Sequence, residues 1–167
     1  MRLKQMLFVG FKSFAERTSI DFRSQLTAIV GPNGCGKSNI VDAFRWALGE
    51  QSVKSLRGSS MGDVIFNGTD SRPPAGYAEV VLHLDAPELA PKMGGERHLS
   101  IRRKLFRDGT SEYFINGRPC RLKEIRHLLA DTGIGATYYS VIGQQNVSAI
   151  VEMDSVKRRE LLEEAAG

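Results

Sequence analysis

The sequence has few cysteines and no long apolar run, and these two absences exclude several classes of protein. Its 167 residues include two cysteines, Cys35 and Cys120, which match neither the spacing of a zinc site nor a disulfide framework. Every apolar run is much shorter than the roughly 18 residues that a membrane-spanning helix requires. No apolar core follows the charged N-terminus, so we expect neither a secretory signal nor a membrane anchor, and the cytoplasm is the default compartment.

Composition is typical of a soluble globular domain. Hydrophobic residues make up 41% of the sequence and charged residues 25%, which is too apolar a balance for a disordered chain. A length of 167 residues is enough for one domain with a hydrophobic core. The formal net charge of +4 permits contact with nucleic acid without requiring it.

The pattern of apolar residues predicts an α/β domain. Alternating or β-branched runs predict strands over residues 3–9, 18–22, 26–30, 64–66, 77–84, 99–106, 111–115 and 138–142. Asp108-Gly109 and Asn116-Gly117 are predicted as tight turns, since these residue types tolerate positive φ. Apolar spacings of three and four predict helices over 39–48, 122–131 and 155–166. The buried face of the first helix is expected to consist of Ile40, Val41, Phe44, Ala47 and Leu48.

A phosphate-binding motif follows the run 26–30, which has the composition of a buried strand. Gly31, Gly36, Lys37 and Ser38 satisfy the spacing G-x-x-x-x-G-K-[ST], and an amphipathic helix comes next. Glycines allow consecutive backbone N–H groups to point at phosphate oxygens, and the helix N-terminus adds positive potential. Lys37 suits the β- and γ-phosphates, and the Ser38 hydroxyl suits Mg²⁺. The residues expected to bind ATP and Mg²⁺ are Gly31, Pro32, Asn33, Gly34, Cys35, Gly36, Lys37, Ser38 and Asn39.

The sequence contains only half of an ATP-hydrolysing site. Hydrolysis also requires a Walker B carboxylate at the end of a second buried strand, and a residue that positions water. The only apolar run that ends in an acidic residue is 80–85, and Ala86 follows Asp85 where a catalytic Glu would be expected. Asp85 is therefore interpreted as a residue at the junction of a strand and a loop.

Segments on both sides of the phosphate loop resemble one family. They are Gly10-Phe11-Lys12-Ser13-Phe14, Leu56-Arg57-Gly58, Asp63-Val64-Ile65-Phe66-Asn67-Gly68, Asn116 to Glu124, Tyr139-Ser140-Val141-Ile142-Gly143-Gln144, Arg158-Arg159-Glu160 and Glu163-Glu164-Ala165-Ala166-Gly167. Together they resemble the N-terminal head segment of bacterial-type SMC (structural maintenance of chromosomes) proteins, over essentially the whole chain. The resemblance implies a P-loop NTPase fold of the ABC-ATPase type, with a mixed sheet and an antiparallel β lobe over about 77–115.

The resemblance also implies roles for residues outside the phosphate loop. Gln144 would be the Q-loop glutamine that contacts Mg²⁺ and the attacking water, which suits a neutral amide. Gln145 follows it, where the family usually has Gly. Arg57 would be an arginine finger supplied in cis, because a guanidinium forks onto phosphate oxygens and keeps its charge. Lys12 and Ser13 would lie near the base, ribose or α-phosphate side of the nucleotide.

Several partners are implied by the same resemblance. In this family ATP lies between two heads, and a C-terminal segment that follows a long coiled coil carries the signature motif and the Walker B residues. Residues 155–167 would form the start of that coil. We therefore expect four partners: the C-terminal head segment of the same protein, a second copy of the complete protein, a kleisin-type subunit, and DNA. The isolated chain would have little or no ATPase activity.

Basic residues around the predicted hairpin form either a solvated face or a contact surface for DNA phosphates. They are Arg102, Arg103, Lys104, Arg107, Arg118, Arg121, Lys123 and Arg126. No base-reading motif accompanies them, so any DNA binding would be independent of sequence and sensitive to salt.

The function expected from the sequence is that of an ATP-binding half of a motor for chromosome condensation and segregation. Two rival functions are a self-contained P-loop NTPase or kinase that uses Asp85, and the head of a coiled-coil ATPase of DNA repair. The segments 10–14 and 63–68 argue against the second. A third interpretation is a non-catalytic fragment that serves as the folding partner of its missing half.

Overall fold

The computed structural model of the chain describes residues 1–130 and the single positions Asp154 and Arg159. The predicted strand 138–142, most of the predicted helix 155–166, and Gln144 lie outside the described residues.

Residues Met1–Ile125 form one compact unit, which is built around a six-stranded antiparallel sheet. The strands are β1 (Arg2–Val9), β2 (Thr18–Asp21), β3 (Tyr77–Asp85), β4 (His98–Phe106), β5 (Ser111–Ile115) and β6 (Arg118–Cys120). Their spatial order is β2-β1-β3-β4-β5-β6, and every pairing within residues 1–130 is antiparallel. The mixed sheet expected around the phosphate loop is therefore not formed by this part of the chain, and the antiparallel sheet includes strands on both sides of 77–115.

The described helical segments are two α-helices and two 3-10 helices. They are α1 (Lys37–Ala47), α2 (Leu122–Ala130), and the 3-10 segments Met61–Val64 and Pro87–Met93. The predictions of 39–48 and 122–131 as helices are confirmed within two residues at each end. No helix within residues 1–130 is long and apolar enough to cross a membrane.

Strict alternation in the two central strands determines which face of the sheet is covered. Every second residue of β3 and β4 is buried, including Val80, Leu82 and Ile101. Helix α1 packs against these two strands. Trp46 of α1 is fully buried, and its ring centroid lies 5.3 Å from that of Phe11, which follows β1. The core thus joins the helix that follows the phosphate loop to the centre of the sheet.

The buried face of α1 differs from the predicted face. Ile40 and Ala47 are buried as expected, but Val41 is 40% exposed. Asp42 and Trp46 are buried instead. The inward face includes the carboxylate of Asp42. A prediction that follows apolar residues alone does not place a charged residue on the buried face, so it was misleading here.

The prediction of a buried strand over 26–30 is wrong for the described structure. This segment forms no strand, and Leu26 and Val30 are 88% and 89% exposed. A β-branched run becomes a buried strand only where neighbouring strands pair with it and cover it. No strand within residues 1–130 does so.

The predicted Asn116-Gly117 turn is confirmed, and it joins β5 to β6. Asn116 and Gly117 have φ of 47° and 76°, which is the left-handed pair that a two-residue hairpin turn needs. The short strand β6 that follows the turn was not predicted. In the β4–β5 connection only Gly109 of the predicted Asp108-Gly109 pair has positive φ. The predicted strand 64–66 is instead the end of a 3-10 turn, followed by a single bridge between Ile65 and Phe11.

Gly10, which follows β1, has no room for a side chain, and we expect Gly10→Ala to destabilise the fold by about 2–4 kcal/mol. Its φ is +59°, and a Cβ there would lie 2.3 Å from the carbonyl oxygen of Tyr77 and 2.8 Å from the Ala75 Cβ. Denaturant unfolding measures the effect. Gly76→Ala is the matched control, because a Cβ there meets nothing within 4 Å and its φ is not left-handed. Equal losses at the two positions would contradict this account.

Candidate nucleotide site

The phosphate-loop motif leads directly into the first turn of α1. Gly36 is the N-cap of the helix with φ of 94°, and Gly34 has φ of 80°. A side chain at Gly36 would also approach the Ser13 hydroxyl to 2.7 Å. The first N–H groups of any helix lack acceptors within the helix, and the helix dipole makes this end positive. The loop is exposed. The geometry therefore suits an anion that carries several oxygens.

Lys37 and Ser38 lie in the first turn of α1. The Lys37 ammonium donates to the carbonyl oxygens of Gly31 and Pro32, both at 2.6 Å, so it lies over the phosphate loop. Ser38 is exposed at the helix N-terminus. Its hydroxyl is a hard oxygen ligand of the kind that Mg²⁺ prefers. The other predicted Mg²⁺ ligand, Gln144, lies outside the described residues.

Lys12 and Ser13 come to the site on a tight turn after β1. Backbone hydrogen bonds between Phe11 and Phe14 close the turn at 3.0 Å and 2.8 Å. The Lys12 N–H donates to the carbonyl of Val64 at 2.8 Å, which ties the turn to the segment after Arg57. Lys12 itself has a left-handed φ of 47°. The turn thus holds a cation and a hydroxyl beside α1.

Asp42 on the inner face of α1 connects Lys12 with Arg57. Its Oδ2 accepts from the Lys12 ammonium, and it accepts from the Arg57 guanidinium at 2.5 Å and 3.2 Å. The side-chain exposures are 5% for Asp42, 13% for Lys12 and 50% for Arg57. The Lys12 ammonium also donates to the Leu56 carbonyl, one residue before Arg57. The carboxylate therefore fixes two chain segments 45 residues apart on one helix.

Asn39 extends these contacts toward the phosphate loop. Its amide nitrogen donates to the Ser13 hydroxyl at 2.9 Å, and its amide oxygen accepts from the Arg57 guanidinium at 3.3 Å. Its backbone N–H donates to the Gly36 carbonyl at 2.9 Å. We call Lys12, Ser13, Asn39, Asp42 and Arg57 the cation cluster. Four of its five members were predicted as site residues from the sequence.

Asp42 is the site residue that the sequence reasoning missed. A signal was present, because Asp42 lies three residues after Asn39 and four before Trp46, on the inward side of the predicted helix. An acidic residue on an inward helix face requires a positive partner. The predicted arginine finger could have been that partner.

The loop that carries Arg57 is held by a neighbouring carboxylate. Asp63 accepts from the backbone N–H groups of Ser60 and Ser59 at 2.9 Å and 2.6 Å, and from the Ser60 hydroxyl at 2.8 Å. These hydrogen bonds, the one from the Ser60 backbone most of all, hold the pKa of Asp63 below its ordinary value, and the charge of Lys12 adds to the effect. The folded state is thus favoured when Asp63 is ionised.

This pKa shift predicts an acid-dependent effect of Asp63→Asn. Because the folded pKa is lowered, the stabilisation is complete above the unfolded value of about 3.9 and is lost as the pH falls through the folded pKa. The variant should therefore be less stable than the parent at pH 6, and the difference should shrink below about pH 4. Denaturant titrations at several pH values measure it. A difference of the same size at pH 6 and pH 3 would show that the charge of Asp63 is not responsible.

Asp85 is not brought to the cation cluster. It pairs with Arg2 at the start of β1, whereas Lys12 follows the other end of that strand. Asp85 lies six positions after Glu79, the β3 residue paired with Val9, and this is about 20 Å of extended strand. The Asp85 carboxylate lies 3.5 Å from Arg97 and 3.9 Å from Lys4. The structure therefore gives no support to an NTPase mechanism that uses Asp85.

The basic residues of β4 are divided between the two faces of the sheet, because successive side chains of a strand point to opposite faces. Arg103 is buried with 2% exposure. Arg102 lies 3.8 Å from the Phe114 ring centroid, and the Lys104 ammonium lies 4.0 Å from that of Tyr77. Arg107 donates to the carbonyl oxygens of Ala75 and Phe66. Arg103 is thus removed from any surface that could contact DNA.

The chain is similar to proteins of known family. Residues 2–156 match the family described as RecF/RecN/SMC N terminal domain. The chain is 52% identical over 170 residues to the chromosome partition protein Smc of Myxococcus xanthus (strain DK1622), and the match covers all of this chain and 14% of that protein. It therefore spans about one seventh of the length of the curated relatives that it matches.

Two solved structures show a similar fold across nearly the whole chain. One comes from work on the structural biochemistry of ATP-driven dimerization and DNA stimulated activation of SMC ATPases; it has a TM-score of 0.85, 34% identity, and 99% of both chains covered. The other is the Smc head domain with an extended coiled coil bound to the C-terminal domain of ScpA, derived from Pyrococcus furiosus. It has a TM-score of 0.89 and 35% identity, with 99% of this chain and 42% of that one covered.

Proposed function

The chain belongs to the family of RecF/RecN/SMC N terminal domains, and we propose that it is the ATP-binding N-terminal head segment of an SMC-type ATPase for chromosome condensation and segregation. The observation that carries this proposal is the convergence of Lys12, Ser13 and Arg57 on the helix that follows the phosphate loop. Segments far apart in the sequence thus place cations and a hydroxyl beside the end of a helix that favours anions.

Different residues of the site would bind different parts of ATP and the Mg²⁺ ion. Bound ATP supplies the phosphoryl group, and Mg²⁺ neutralises charge on its phosphate oxygens. The backbone N–H groups of residues 34–38 would donate to phosphate oxygens. Lys37 would exchange its present carbonyl acceptors for phosphate, and Ser38 and Gln144 would hold the metal. Arg57 would stabilise negative charge as an arginine finger, because its guanidinium remains half exposed while Asp42 holds it.

ATP hydrolysis is proposed only for the complete head. A C-terminal segment of the same protein would supply the Walker B residues and the signature motif. Support comes from Leu26, Ile29 and Val30, which precede the phosphate loop and are 40% to 89% exposed. Exposed apolar residues next to a functional loop are typical of a surface that a partner covers. The relatives are about seven times longer than this chain and therefore have room for such a segment.

The remaining partners are proposed from the relatives. Related SMC ATPases show ATP-driven dimerization and DNA-stimulated activation, and a related Smc head binds the C-terminal domain of ScpA. We therefore propose that ATP joins two complete heads, that a kleisin-type subunit binds the head, and that DNA is contacted without sequence preference. The site of action would be the nucleoid in the cytoplasm.

Mixing the two halves of the head tests this function. The purified chain and the separately made C-terminal head segment should each hydrolyse ATP at background rates, and the mixture should be active. ATP turnover by the mixture is the quantity to measure, with co-elution in gel filtration as evidence of assembly. Strong turnover by this chain alone would overturn the proposal and favour a self-contained NTPase. An assembled but inactive mixture would favour a non-catalytic role.

A further inference from the structure

Asp42 is a buried anion that lies between the two cations of the cluster. The Lys12 ammonium and the Arg57 guanidinium both donate to the same carboxylate oxygen, Oδ2. Asp42 is 5% exposed and Lys12 13% exposed. Removing one partner of such a buried pair leaves a charge without compensation. The carboxylate therefore constrains both long side chains.

The backbone at both cations is held in a conformation that such residues seldom adopt. Lys12 and Arg57 have φ of 47° and 56°, and residues other than glycine or asparagine rarely occupy this left-handed region. Apart from Asn116, these are the only such residues in the described part of the chain. Left-handed backbone at two residues that contact the same carboxylate indicates that their side chains have to reach one particular place.

The charges around the phosphate loop indicate that Lys12 and Arg57 are placed to bind an anionic ligand. Lys12, Arg57 and the nearby Lys37 together carry three positive charges, and the carboxylates of Asp42 and Asp63 carry two negative charges. The N-terminus of α1 adds further positive potential. A purely structural ion pair would leave no such excess. The excess suits a polyanion at the phosphate loop, and the Arg57 guanidinium is half exposed while it is paired with Asp42.

We propose that Asp42 is a positioning residue that holds Lys12 and Arg57 in place for the nucleotide phosphates. This proposal rests on the proposed function. Asp42 does not contact the nucleotide, and it acts through the two cations. Two flexible side chains that are fixed before ATP binds lose less conformational freedom when they engage it.

A double-mutant cycle in the full-length protein tests the proposal. Asp42→Asn keeps the size of the side chain and removes its charge, and should lower kcat for ATP hydrolysis by about 10- to 100-fold. Arg57→Ala should lower it to a similar extent. The double variant should be little worse than either single variant, because each removes the same positioned guanidinium. Independent, multiplicative losses would overturn the proposal, and so would an unchanged kcat in Asp42→Asn.

Two further variants distinguish failure of the proposed role of Asp42 from failure of the proposed function. Asp21→Asn changes an exposed carboxylate of β2, which contacts Gln5, and should leave kcat unchanged. Lys37→Ala tests the proposed function itself. If Lys37→Ala is as active as the parent, the proposed function fails. If Lys37→Ala is inactive while Asp42→Asn is fully active, only the role of Asp42 fails.

Chemical rescue provides a test that does not depend on the folding of Asp42→Asn. Arg57→Ala retains Asp42 and Asn39, the two acceptors of the missing guanidinium. Added guanidinium ion, well below denaturing concentrations, should bind there and restore part of the lost turnover. Ammonium ion, which is smaller and lacks the planar fork of a guanidinium, should restore less. Rescue by neither ion, or by both equally, would contradict a positioned guanidinium.

Discussion

Lys37→Ala is expected to lower ATP turnover by the complete head by about 100- to 1000-fold, the usual result of removing one preorganised charge from an active site. The Lys37 ammonium lies over the phosphate loop, 2.6 Å from each of two carbonyl oxygens. Lys37 is itself part of the phosphate-binding motif. An alanine would leave the backbone N–H donors of the loop in place. ATP binding should therefore weaken less than turnover.

The loss should occur without unfolding. The Lys37 ammonium contacts carbonyls and the Cys35 Sγ of an exposed loop, so its removal should change the free energy of unfolding by about 1 kcal/mol or less. Lys4→Ala is a control, since Lys4 is a partly exposed lysine of β1 whose partner is Asp85. Steady-state ATP hydrolysis and thermal unfolding of both variants measure the two effects. Turnover by Lys37→Ala within a few-fold of the parent would contradict the assigned role of the loop.

Arg103→Ala is expected to be the most destabilising of the arginine substitutions in β4, at about 3 kcal/mol. The Arg103 guanidinium donates to the carbonyl oxygens of Trp46 and Glu50, both at 2.8 Å, at the C-terminal end of α1. It also lies 4.5 Å from the Trp46 ring centroid and 5.2 Å from that of Tyr113. Alanine would remove both charge-assisted hydrogen bonds, leaving the Trp46 carbonyl with the Gly49 N–H alone, and would open a cavity.

The neighbouring residue supplies the control for Arg103. Arg102 lies on the opposite face of β4 and contacts the Phe114 ring, so Arg102→Ala should cost only about 0.5–1 kcal/mol. A loss of about 3 kcal/mol corresponds to a decrease in melting temperature of roughly 6–12 °C for a domain of this size. Calorimetry or circular dichroism on the two variants measures the contrast. Similar decreases for both would show that the buried contacts of Arg103 add nothing.

The sequence predicted correctly those strands and turns that depend on residues close together in the chain. The alternation along β3 and β4 and the Asn116-Gly117 turn depend on residues within one element. The strand and turn predictions there are confirmed within one residue. Strand β6 was not predicted because it has only three residues, two of them exposed.

Predictions that depend on distant partners were the less successful ones. The run 26–30 has the composition of a buried strand, yet it forms no strand in the described part of the chain, because burial depends on which segments cover it. The inward position of Asp42 is explained only by Lys12 and Arg57, which lie 30 residues before it and 15 after it. Composition gives no direct sign of such pairings.

The candidate site was predicted more completely than the sheet around it. The spacing of Gly31, Gly36, Lys37 and Ser38 placed the phosphate loop before α1, where the structure has it. The family resemblance added Lys12, Ser13 and Arg57, and the structure brings these side chains to the same helix. Their roles toward the nucleotide, and that of Gln144, remain predictions that require a bound ligand.

A crystal structure of the reconstituted head with Mg²⁺ and a non-hydrolysable ATP analogue would show directly whether the phosphate loop and the cation cluster bind the nucleotide. We expect the β- and γ-phosphates within hydrogen-bond distance of the backbone N–H groups of 34–38 and the Lys37 ammonium, with the Arg57 guanidinium on a phosphate oxygen and still paired with Asp42. The C-terminal segment would cover Leu26 and Val30. A nucleotide bound elsewhere, or one bound with Lys37 still on the carbonyls of Gly31 and Pro32, would contradict it.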